Sequence, residues 1–161
     1  MEPYHLCRAE KKINNDAELQ EILQQQSIFT LAMTNALEPY LVTMDYAFDS
    51  SQHCIYFHCA SKGKKIDILQ ENPQVYGQVI EDLGYMKGEC DHAFRSVHFW
   101  GKVELISDFE EKVMALKLLI KKFETDTEKI YKKFMDSASI QAVSVGKILI
   151  EGMCGKKSKN A

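Results

Sequence analysis

The sequence predicts a mainly β protein with peripheral helices, in which about six mostly antiparallel strands form a closed or nearly closed barrel. Three observations carry this. Short alternating apolar runs follow one another between turn-forming clusters in the first 60 residues. A long alternating run over 94–106 and a β-branched run over 140–150 come later in the chain. Both faces of these runs are partly apolar, as expected of strands that enclose a core and carry helices outside. A chain of 161 residues suits a single domain, and no internal repeat or long linker divides it.

Taken in order, 1–13 is polar and without a period. Asp16 is placed to cap a helix over 17–25, whose Leu19, Ile22 and Leu23 follow the i, i+3, i+4 pattern. A strand over 27–34 puts Phe29, Leu31 and Met33 on one face. A turn over 35–39 leads to a second strand over 40–48, and Asp49-Ser50-Ser51 turns into a third over 54–59. Short turns between these three predict a meander. A helix over 64–71 stops at Asn72-Pro73, and 75–81 is a fourth strand. The Gly- and charge-rich segment 82–93 is expected to be a loop. The long strand over 94–106 shows Val97, Phe99 and Val103 on one face and Ser96, His98, Trp100 and Lys102 on the other. Ser107 and Glu110 have capping-box spacing ahead of a helix with an apolar stripe through Val113, Leu116, Leu119, Ile120 and Phe123. A weaker amphipathic helix over 127–135, the strand over 140–150 and a frayed tail over 155–161 complete the chain.

Composition narrows the function. Hydrophobic content of 45% and charged content of 27% are those of an ordinary soluble domain. A net charge of -3 argues against a general nucleic-acid binder. No apolar run is long enough to span a bilayer, and the opening residues carry no signal-like apolar region, so no membrane partner is expected. The five scattered cysteines suit reduced thiols in a cytoplasm.

The stretch C-I-Y-F-H-C-A-S-K-G-K-K-I-D-I-L-Q-E-N-P, 54–73, holds the main anomaly. Lys62, Lys64 and Lys65 cluster where a helix begins, and the macrodipole there disfavours each nearby cation by about 0.3–1 kcal/mol. A bound anion reverses that sign, because free N–H groups, the dipole and the ammonium groups then share one target. Ser61 can cap the helix or donate to the same anion. Three solvated lysines on an exposed turn explain the sequence equally well. His58, on the preceding strand, is either a hydrogen-bonded structural residue or a group of the site. Trp100 is either a rim residue packed on a helix or a flat wall for an aromatic ligand.

Other chemistries find less support. His53-Cys54, His58-Cys59 and Cys90-Asp91-His92 supply metal-ligand types, but strand neighbours point to opposite faces, so no metal site is expected. No nucleophile elbow, dinucleotide fingerprint or P-loop occurs. Cys54 and Cys59 read as inert strand thiols.

Four stretches together carry a family resemblance: A-E-L-Q-E-I-L, Y-L-V-T-M-D-Y-A-F-D, the 54–73 segment, and C-D-H-A-F-R-S-V-H-F-W-G-K-V-E. In their order and spacing, from about 13 to 123, the chain resembles the FMN-binding split β-barrel family related to pyridoxamine 5′-phosphate oxidase, in its nitroimidazole-resistance branch. The resemblance implies a six-stranded antiparallel split barrel and an FMN phosphate held at Lys64 and Lys65, with Ser61 and Lys62 assisting. It also implies that Thr43, Met44 and Asp45 run along the isoalloxazine and that His58 lies close to it. Ser96 and, more weakly, Trp100 are implied to approach the flavin from the long strand. Family members are usually homodimers with cofactor at the subunit interface, so some contacts are expected from a partner chain. Pyridoxamine phosphate oxidases carry an arginine in the second-strand motif, where this chain has L-V-T-M-D-Y, and end in an Arg-containing segment that I-L-I-E-G-M-C-G-K-K-S-K-N-A does not match. Oxidation of pyridoxamine phosphate is therefore not expected. The expected function is FMN-dependent reduction of a small electron-poor molecule, such as a nitroimidazole, with no residue assigned as acid or base. A non-catalytic flavin- or haem-binding module, a carrier or sensor, is the alternative.

Overall fold

The computed structural model describes residues 8–35 and 38–158. A 3-10 turn, Ala9–Lys11, precedes β1 (Lys12–Ile13) and α1 (Asp16–Gln25). The chain continues through β2 (Ile28–Thr34), β3 (Pro39–Asp45), β4 (Ala47–Asp49), β5 (Cys54–Ala60), α2 (Lys64–Glu71), β6 (Gln74–Met86) and β7 (Asp91–Leu105). Three helices follow, α3 (Phe109–Phe123), α4 (Thr127–Phe134) and α5 (Ser137–Ala142), before β8 (Val143–Lys157). Among the described residues no helix is long and apolar enough to cross a membrane.

The eight strands of the described residues belong to one antiparallel sheet in the order β3-β2-β6-β7-β8-β5-β4, with β1 added on β8. Its two end strands, β3 and β4, are separated in sequence only by Tyr46. Since one residue spans about 3.5 Å, the sheet must curl until its ends meet. No ladder joins β3 to β4 or β5, so the result is a split barrel rather than a closed one.

The core lies where the alternation predicts. Phe29, Leu31 and Met33 of β2, Val97 and Phe99 of β7, and Phe57 of β5 are fully or almost fully buried. The Phe29 ring meets Tyr46, Phe57 and Phe99 at centroid distances of 5.4, 6.0 and 6.1 Å. Leu19, Ile22 and Leu23 of α1 pack on this cluster, and the Tyr46 hydroxyl donates to Leu23 O at 2.7 Å, fixing the helix to the split. Ile68 and Leu69 of α2 join the same core, whereas α3 packs outside, its Ala115 against Cys54, Tyr56 and Val145.

Several expectations are corrected. The first strands do not form a meander: β2 pairs β3, but β4 and β5 lie at the far edge of the sheet, because the buried run Tyr46-Ala47-Phe48 breaks the alternation and carries the chain across the split. Segment 82–93 is no loop; β6 and β7 form one long hairpin through it, with a register shift at Asp82/Gly84 and positive φ at Gly84, Gly88 and Cys90. Its outer part is largely exposed, so backbone pairing and cross-strand pairs such as His92–Asp82 hold it without an apolar period. Residues 12–13 form a strand, and 140–142 belong to α5, because Asp136 caps that helix by accepting from the Ala138 and Ser139 N–H groups. The tail is not frayed as far as Ser158, which is buried: Phe94 N–H donates to its Oγ at 3.2 Å and Lys157 pairs with Glu18. Lys159 lies outside the described residues, as does part of the 35–39 turn. The caps of α1 and α3 are Asn15 and Asp108, each one position from the expected Asp16 and Ser107.

Candidate functional site

Along β3, residues 40, 42 and 44 face inward and 41, 43 and 45 outward. Beside the inward row, at the split, stands the N-terminus of α2. Its N-cap is Gly63, at φ 124 and ψ 170, a conformation open in practice to glycine alone, and no side chain caps the helix. Ser61, expected as a possible cap, does not take that role; it and Lys62 are exposed in the preceding loop.

The lysines are placed one after the other along β3. Lys64 pairs with Glu38 and lies over the Tyr40 ring, 5.0 Å from its centroid. Its ammonium holds the Glu38 carboxyl below the usual carboxylate range. Lys65 Nζ lies 2.7 Å from Met44 Sδ and 5.9 Å from the Phe57 centroid. A thioether is a weak acceptor, so this ammonium is held but poorly satisfied. At an uncapped helix N-terminus, that is the donor set an anionic group requires.

Asp45, the next residue but on the outward row, lines a cavity of about 540 Å³ with His58 and residues of α3, α4 and α5, and neither lysine nor Met44 is part of that lining. Met44 thus meets Lys65, and Asp45 shares a cavity wall with His58. Thr43 points the other way, its hydroxyl 3.1 Å from that of Thr30 on the outer face. Ser96 and Trp100 are not brought to the lysines within one chain, because β2 and β6 stand between β7 and β3. Ser96 is buried and its hydroxyl donates to Lys156 O at 3.4 Å; Trp100 stacks on Tyr76 of β6, 6.2 Å and 11° apart, rather than on a helix. Burial raises the thiol pKa values of Cys54 and Cys59, which keeps them protonated and poor nucleophiles. Among the described residues no three His, Cys, Asp or Glu side chains converge as metal ligands.

The sequence reading missed Lys122, although it falls on the stripe of α3 that contains Ala115 and Leu119. Its buried Nζ lies 3.9 Å from the Tyr46 ring centroid and has no hydrogen-bond partner among the described residues. Burial pushes its pKa down to about 8, against the pull of Asp45. Between about pH 8 and the unfolded value of 10.5 the unfolded chain binds more protons, so stability due to this group rises with pH there, and the full penalty applies below pH 8. Lys122→Met is expected to raise stability at pH 7 by about 1–2 kcal/mol, allowing for solvent screening of a partly exposed side chain. It should also flatten the alkaline rise expected of wild type. Identical pH profiles in denaturant melts would show that the ammonium is hydrated.

Comparison with known proteins concerns the chain as a whole. The family model described as pyridoxamine 5′-phosphate oxidase matches residues 15–157. Among solved structures, a candidate 5-nitroimidazole antibiotic resistance protein of Bacteroides thetaiotaomicron is 27% identical, with a TM-score of 0.76, and the match covers 90% of this chain and 85% of that one. An FAD-binding protein of Mesorhizobium loti has 22% identity and a TM-score of 0.68, over 92% and 98% of the two chains. An FAD and haem binding protein of Mycobacterium smegmatis has 16% identity and a TM-score of 0.78, over 92% and 74%. At those last two identities the likeness concerns the fold alone. No curated protein matches the chain.

Proposed function

The chain belongs to the pyridoxamine 5′-phosphate oxidase family, and we propose that within it this protein is an FMN-dependent oxidoreductase that reduces a small electron-poor molecule. The observation that carries the proposal is Lys65, an ammonium resting on the Met44 thioether at the uncapped start of α2, on a strip of β3 whose next residue, Asp45, lines a cavity with His58. From Tyr40 to Asp45 that strip runs about 17 Å at the usual strand rise. Lys64 and Lys65 stand along it as a phosphate requires, and its inward side chains Tyr40, Val42 and Met44 offer the apolar surface that a tricyclic ring requires. Lys64 and Lys65 would hold the phosphate with Ser61 and Lys62 beside them, and the backbone of Thr43, Met44 and Asp45 would offer polar groups to the ring, with His58 nearby. FMN, when bound, supplies the electrons or hydride; the chain supplies position and restricted access of water. The likeness to the Bacteroides protein favours a nitroimidazole as substrate. The scattered thiols favour the cytoplasm as the place of action. Steady-state assay of FMN-loaded protein with NADH or NADPH and a 5-nitroimidazole is expected to consume the nitro absorbance. Tight FMN without turnover on any such acceptor would instead make the chain a carrier.

The same reading includes a homodimer. The outer face of β3, β2 and β6 exposes Leu41 at 65%, Ile28 at 54%, Ile80 at 49% and Tyr76 at 46%, on adjoining strands beside Trp100. Exposed apolar side chains of this kind, on either side of a polar row through Thr43, Thr30 and Gln78, need cover, and a second copy laid on them would bring Ser96 and Trp100 toward a cofactor bound by the other chain. Leu41→Glu with Ile80→Glu is expected to give monomers in sedimentation velocity and to lower FMN retention. A wild-type chain that sediments as a monomer with FMN bound would refute this arrangement.

A further inference from the structure

We infer that the cavity beside Asp45 and His58 admits an uncharged or cationic aromatic molecule of about naphthoquinone size and rejects phosphorylated or sulfonated ones. Only the claim that such a molecule is reduced there rests on the flavin reading above.

The size follows from the cavity, about 540 Å³, within the range of drug-sized ligand sites. The apolar character follows from α4. Its Ile130 and Phe134 stand one turn apart and line the cavity, yet the helix buries none of its residues. Phe134 remains 50% exposed, and Phe123, facing it from α3, 42%. An amphipathic helix whose apolar side meets open space gains stability from whatever apolar body enters.

The charge preference follows from the polar part of the wall. It consists of Asp45, His58, Glu124 and Ser139, and no lysine or arginine lines the cavity among the described residues. Lys122, whose charge interacts with Asp45, has its ammonium over the Tyr46 ring and is not part of the lining. An anion entering here would be desolvated against two carboxylates with no fixed cation to offset the loss. The lysines that suit a phosphate stand outside the lining, against Tyr40, Glu38 and Met44.

Calorimetric titration of oxidised, FMN-loaded protein, without reductant, tests this with two probes of the same ring: menadione and 1,4-naphthoquinone-2-sulfonate. Menadione is expected to bind at least tenfold more tightly. Phe123→Ser with Phe134→Ser, both at exposed positions, should lose at least tenfold in menadione affinity, read at equal flavin content and again on the flavin-free chain. Glu124→Lys, which places a cation at the end of α3 where the helix dipole favours one, should narrow or reverse the discrimination against the sulfonate. Equal affinity for the two quinones, indifference to both variants, or a cavity closed to menadione by a second copy of the chain would overturn the inference. A protein that fails to retain FMN would refute the flavin reading instead, and the same titration on the flavin-free chain would still decide the cavity.

Discussion

Replacing Lys64 and Lys65 together by alanine is expected to weaken FMN by at least about 100-fold while changing riboflavin, which lacks the phosphate, by less than about threefold. Each ammonium would make a charge-assisted hydrogen bond to the phosphate, worth about 1.5–3 kcal/mol, and two such bonds account for the loss. The folded chain should hardly notice. The Lys64–Glu38 pair is exposed to solvent on both sides and screened by it, and removing two cations from a helix N-terminus returns about 0.3–1 kcal/mol each. Binding that collapses while melting stays within a few degrees is the mark of residues kept for a ligand. Equal losses for FMN and riboflavin would move the phosphate site elsewhere.

Gly101→Ala should be the most damaging small substitution in the barrel. A Cβ at this position would lie 1.9 Å from Leu149 O and 2.9 Å from its carbonyl carbon. Both are backbone atoms of β8, fixed in the ladder beside the register shift at Trp100/Gly101, so nothing can give way without opening β7 from β8. The expected cost is about 3 kcal/mol or more, read as a fall in Tm of about 6–12 °C for a chain of this size. A Tm within about 2 °C of wild type would contradict the pairing of these two strands.

What could be read from the sequence was the local part. Alternation in Phe29, Leu31 and Met33 gave their burial, and the Leu119 stripe gave the inner side of α3, because period alone decides which face turns inward. Pairing partners are another matter. Nothing in 40–49 shows that a single residue, Tyr46, carries the chain from one edge of the sheet to the other. The 82–93 hairpin escaped because its ladder extends past the core, where charged residues are no obstacle to backbone pairing. For the site, the lysine cluster was visible as a conflict with the α2 dipole, whereas Met44 beneath Lys65 was not. The cavity was hidden for a simpler reason: its wall is assembled from positions between 45 and 143, and the weak amphipathic pattern of α4 was the one trace of it.

The central claim is that the strip from Lys64 to His58 is built for FMN. Purified protein incubated with FMN, passed through gel filtration and examined by visible absorption tests it most directly. The account predicts a flavin spectrum that co-elutes with the protein at one FMN per chain, in a peak of dimer size. Protein that elutes colourless after incubation would contradict it.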